Sequence, residues 1–144
     1  MKPVLCILTI LIIATSTLYG QEIEKCDVSV VLSTKNKAGQ LTKKDIKDFL
    51  LTFGKECRNN VEFSEFSNEV LFLILDKQTK LTMKTIENQE GQIELDEILE
   101  DLGSPISDAI GLKSLIAKVE NVKANNRLKN LIVSRLKAAD GATN

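Results

Sequence analysis

The sequence predicts an all-α domain of five or six short antiparallel helices, packed as a bundle or a short solenoid-like stack of helical hairpins. Two observations carry this. Apolar residues recur at spacings of three and four through most of the chain, and the stretches between these runs are short and polar or glycine-bearing. No low-complexity segment interrupts them.

The helices follow in order. Thr42 with Asp45 three residues on has the form of an N-cap, and Ile46, Phe49, Leu50 and Phe53 then fall on one helical face that ends near Gly54. In NNVEFSEFSNEV, Asn59 is expected to cap a helix with Glu62 closing a capping box, and Phe63, Phe66, Val70 and Leu73 form its inner stripe. Glu62, Glu65 and Glu69 keep the same rhythm one position away, which places an acidic ridge along the margin of that stripe. From Val70 to Leu75 every side is apolar, so this stretch is expected at the centre of the core. A β-hairpin over Val70–Leu75 and Leu81–Ile86 is the competing arrangement, because Leu81, Met83 and Thr85 alternate. Ile93, Leu95, Ile98, Leu99 and Leu102 make an amphipathic helix stopped by Gly103. Ser104-Pro105 is expected to open the next helix, with Ile106, Ile110, Leu112, Leu115, Ile116 and Val119 as its apolar face. Leu128, Leu131, Ile132, Val133 and Leu136 give the last, and the chain is expected to fray from Ala138. The β-branched stretch from Cys26 to Thr34 fits an extended arm, a strand or a helix.

The beginning of the chain sets the compartment. Met1-Lys2-Pro3 precedes the apolar run VLCILTILIIATSTLYG, too short for a stable span and laid out as a secretory signal peptide. The expected organisation is a signal over 1–20, an N-terminal arm over 21–40, one helical domain over 41–139 and a frayed tail over 140–144. No second run is long enough to cross a bilayer, so a secreted or periplasmic protein is expected. Two cysteines remain after cleavage, Cys26 and Cys57, and an oxidising compartment predicts that they pair. Such a closure stabilises a fold by about 3–4 kcal/mol in the chain-entropy model.

Composition then removes whole classes of chemistry. There are 0 histidines, so the usual general base, the usual triad member and the commonest transition-metal ligand are missing. No glycine-rich phosphate loop or nucleophile elbow is present, and with the cysteines paired no thiol nucleophile is left. A protein that is not an enzyme and carries no cofactor is the expectation. The formal net charge of −1 gives no overall footprint for nucleic acid. Acidic residues concentrate from Glu87 to Asp101 and basic ones from Lys113 to Lys137, an arrangement expected to cancel between neighbouring segments.

Oxygen ligands for calcium need no histidine. Over 86–97, Asn88, Glu90, Glu94 and Glu97 fall where positions 3, 5, 9 and 12 of an EF-hand loop belong, with Gly91 at position 6. Ile86 stands where the first chelating aspartate should be, so a degenerate calcium loop is one alternative function; a carrier enclosing an apolar ligand is another. The leading expectation is an exported, non-enzymatic helical protein acting on a protein partner, with Glu62, Glu65 and Glu69 as the interaction ridge.

The phrase ECRNNVEFSEFSNEVLF, followed by SPISDAIGLKSLI and RLKNLIVSRLKAA, resembles a group of small exported helical proteins of the Bacteroidetes, over roughly residues 41 to 139. The resemblance implies a periplasmic or secreted location and an all-helical fold. It implies no activity, cofactor or functional residue.

Overall fold

A computed structural model of the chain describes residues 22–107 and 111–142. The signal-peptide reading of residues 1–20 and the placing of Ile110 lie outside them. The described residues are all helical, in the order α1 (Val28–Asn36), α2 (Lys43–Leu51), a 3-10 turn (Lys55–Asn59), α3 (Val61–Lys77), α4 (Thr79–Gln89), α5 (Leu95–Leu102), α6 (Leu112–Glu120) and α7 (Asn126–Ala142). The all-α class holds, with seven helices where five or six were expected. The surplus comes from two places: the undecided N-terminal stretch is a helix, and the 70–89 region is two helices broken at Gln78.

Capping decides the first case. Asp27 accepts from the backbone N–H of Ser29 at 2.8 Å and of Val30 at 3.2 Å, and so starts α1 in spite of its β-branched residues. Thr42 and Asp45 form the reciprocal capping box of α2, as their spacing predicts. The α3 cap moves by one residue. Cys57 draws Lys55–Asn59 into a 3-10 turn, which leaves the extended backbone of an N-cap to Asn60, whose side chain accepts from Phe63 N at 3.1 Å. Glu62 is thus the second residue of the helix and not the third, and no capping box forms there.

The hairpin over 70–86 gives way to α3 and α4. The polar residues on the buried side of α4 find partners in helical backbone: Thr82 Oγ1 donates to Ile74 O at 3.1 Å and Thr85 Oγ1 to Leu81 O at 2.8 Å. At the other end, the helix expected to open at Ser104-Pro105 starts only at Leu112, and Ile106 is 57% exposed. The last helix runs to Ala142 with Ala139 buried, so the chain stays helical past Ala138 where fraying was expected.

Helix directions follow from the contacts at their ends. Cys26 N donates to Thr52 O at 2.8 Å and Lys37 pairs with Asp45 at 2.8 Å, so α1 and α2 are antiparallel. Cys26 and Cys57 stand at disulfide distance, with sulfur atoms 2.10 Å apart, just ahead of α1 and α3. Lys35, in the last turn of α1, meets Phe66 and Glu69 in mid-α3. Those two helices therefore run in the same direction, as an up-down-up order of α1, α2 and α3 requires. Phe53, just past α2, stacks edge-on between Phe49 of α2 and Phe63 of α3, with centroids 5.3 and 5.9 Å away, and so joins both helices to one core.

Candidate interaction face

The outer side of α3 is built from its helical pitch. At 100° per residue, the order around the helix is Phe66, Glu62 with Glu69, Glu65, Val61, then Asn68. Phe66 is the edge toward α1: Lys35 Nζ lies 5.9 Å from its ring centroid and 2.9 Å from Glu69 Oε2. Asn68 is the opposite edge and is buried. Its amide donates to Asp101 O at 3.0 Å and to Ser104 O at 3.1 Å, and its carbonyl oxygen accepts from Ile106 N at 3.1 Å. Three bonds to one side chain fix the segment after α5 against α3 and hold Ile106 outward. The helix expected at Ser104-Pro105 cannot form while Asn68 holds this backbone.

Between these edges lie the three glutamates of the predicted ridge, all exposed. Only Glu69 is paired; among the described residues Glu62 and Glu65 meet no cation. Beside them stand Val61, 67% exposed, and Ile106, 57% exposed and tied to the Asn68 edge; Leu32, 41% exposed, is on α1 one turn before Lys35. Past Glu69 the face deepens into a hollow of about 380 Å³ lined by Phe72, Leu73, Asp76 and Ser114 among others. Sequence spacing found the glutamates but missed Asn68 and Ile106. A lone asparagine in an otherwise dry stretch of helix was the available signal.

The calcium positions are not brought together. Helix α4 continues to Gln89 and α5 begins at Leu95, so the twelve residues expected as a loop contain only five between helices. Asn88 is in the last turn of α4 and exposed, Glu90 pairs with Arg127, and Glu94 precedes α5. Glu97 is buried and accepts from Arg58 Nε at 2.9 Å and from its terminal nitrogen at 2.8 Å. That same nitrogen reaches Glu100 at 2.9 Å. Among the described residues no three acidic or cysteine side chains converge as metal ligands. The Arg58–Glu97 fork instead ties the 3-10 turn to α5, and the two carboxylates raise the Arg58 pKa, Glu97 most strongly through its hydrogen bonds.

Asp101 differs from its neighbours. It is half-buried, and burial first, then the charges of Glu100 and Glu97, raise its pKa to about 6. Asp45 shows the opposite: hydrogen bonds from Lys37 first, then Thr42, hold its carboxyl well below the usual range.

A cleft of about 970 Å³ opens between α1 and α2, lined by Ile23, Val30 and Leu51 together with charged residues of both helices. Its charges are largely spent within the molecule, Lys37 on Asp45 and Lys44 on Asp48. This is a wet, mixed-charge surface and not the enclosed apolar cavity of a carrier. No helix among the described residues is long and apolar enough to cross a membrane. Compared with protein-family models, curated proteins and solved structures, the chain matches none of them. The described residues form an all-helical bundle with a cysteine pair at disulfide distance.

Proposed function

We propose that this is an exported, non-enzymatic protein that acts by binding another protein through the outer face of α3. One observation carries the reading: Val61 and Ile106, two of the large apolar residues that the described surface exposes, lie at the Asn68 edge of the glutamate ridge, Val61 by helical pitch and Ile106 through its N–H to Asn68. Exposed apolar residues scattered singly need no explanation, whereas their grouping around two uncompensated carboxylates is the composition of a contact surface. The hollow lined by Phe72 and Leu73 offers a place for one apolar side chain of the partner, and Glu62 and Glu65 select for basic residues beside it. Glutamine at positions 62, 65 and 69 keeps the shape and removes the charge. That variant is expected to fold and to lose the partner.

A further inference from the structure

We propose that α1 is a releasable cover on α3, latched at its N-terminal end by a Cys26–Cys57 disulfide and hinged at the Gly39 turn. Of its nine residues only Val31 and Thr34 are buried. The Thr34 hydroxyl is spent on Val30 O within the same helix at 2.8 Å, so Val31 is the one fully dry apolar contact. On the α2 side the packing is interrupted by the 970 Å³ cleft, which runs along Val30, Ser33 and Lys37. The remaining side-chain ties are the half-buried Val28 and Val30, packed against the core, Lys35 on Glu69 and over the Phe66 ring, and, just past the helix, the Lys37–Asp45 pair; the two ion pairs are solvent-exposed and individually weak.

Everything stronger is at one end. The Cys26–Cys57 pair, the Cys26 N–H to Thr52 O bond and the Lys25 ammonium on Phe53 O all precede the helix. At the other end Gly39 has φ +97, a conformation that glycine adopts readily, with nothing within 4 Å of where its Cβ would be, ahead of the core residue Leu41. Cys26 itself is held at φ +60, where residues with a side chain are uncommon. With the latch open, α1 swings about the turn and uncovers the side of α3 on which Lys35 now rests, the stripe of Phe66 and its neighbours one turn away, Phe63 and Val70.

The opening step is thiol–disulfide exchange with a protein dithiol. Cys57 is 4% exposed and Cys26 is only half-buried, so the incoming thiolate attacks Cys26 Sγ and Cys57 leaves as a thiolate. The second thiol of the reductant then attacks the mixed disulfide and frees Cys26. The reductant loses two electrons and two protons to become a disulfide, and the pair on this chain gains them as two thiols. The release of α1 stands whether or not the glutamate face binds a partner.

Hydrogen exchange followed by mass spectrometry on the purified protein tests the cover. In a Cys26→Ser/Cys57→Ser variant the amides of residues 28–36 are expected to exchange about tenfold faster or more, while those of α4 to α7 keep their rates. Unchanged rates in α1 would overturn the proposal. So would equal acceleration in every helix or failure to fold, because the latch would then hold the whole domain and not one element. A Val31→Asp variant with the cysteines intact gives a second reading. Faster exchange confined to α1 is expected there, and an α1 as slow as in the parent chain contradicts its role as the dry contact.

Discussion

Asn60, and not the neighbouring Asn59, closes the first turn of α3, and stability measurements can separate the two. Asn60→Ala removes the oxygen that accepts from Phe63 N and is expected to cost about 1 kcal/mol in urea unfolding, while Asn59→Ala should change stability by only a few tenths. Asp101 gives a second residue-scale prediction, with a definite sign. Its pKa is about 6 in the folded chain against an ordinary value of 3.8, so the folded state binds the proton more tightly than the unfolded one. Between about pH 4 and 6 this group makes stability fall as pH rises, and above pH 6 its ionised form opposes folding at full strength. Asp101→Asn should therefore stabilise the protein at pH 7 by about 2 kcal/mol and remove this group's slope from the stability curve over that window. Thermal melts of both chains from pH 4 to 7 read this directly; a variant no more stable at pH 7 than the parent would show that the carboxyl is solvated. Asp45 acts in the opposite sense. Its lowered pKa supplies stability that is present above its ordinary value and lost as the pH falls further.

At the scale of elements, legibility followed local signals. The Thr42–Asp45 capping box, the stripe of α3 and the stop at Gly103 are short-range patterns, and the helices stand where those patterns put them. The failures come from long-range ties. Cys57 is drawn toward Cys26 and shifts the α3 cap by a residue, which no window around Asn59 contains. Asn68 bonds backbone 33 to 38 residues away and so keeps Ser104–Ile106 out of α6. The start of α1 stays open in the sequence: Asp27 is a usable cap, but the β-branched residues after it fit a strand or an arm as well as a helix. The glutamate ridge was legible because exposure follows directly from helical pitch. Its apolar neighbour Ile106 was not, since Asn68 holds it there from another part of the chain. The Asn68 tie is testable as an element-level clamp. Asn68→Ala leaves Ser104 O and the Ile106 N–H without their partner and takes one of two bonds from Asp101 O at a half-buried site, and is expected to cost about 1–2 kcal/mol. Exchange of the Ile106 amide should rise with it; an unchanged midpoint would mean that α5 and the following segment are held by packing alone.

Over the whole molecule, the acidic stretch from Glu87 to Asp101 and the basic C-terminal part meet as neighbours. Glu90 pairs with Arg127, Glu87 accepts from Asn125 N at 3.0 Å, and the Arg135 side chain lies against Gly103 at the end of α5. Part of the segregated charge is thus answered within the fold, while among the described residues Glu94 and Asp96 of the acidic stretch, like Glu62 and Glu65 on α3, have no cation beside them. Two such carboxylates beside the exposed Val61 and Ile106 are what favours the outer face of α3 as the proposed partner surface. The most direct test is quantitative capture from the medium and envelope of the producing cell, using the parent chain and the Glu62→Gln/Glu65→Gln/Glu69→Gln variant side by side. Circular dichroism is expected to give both the same helical spectrum. The account predicts at least one protein held by the parent chain and reduced about tenfold or more on the variant, a loss of roughly 1.4 kcal/mol in binding. The same proteins held equally by both chains would contradict it.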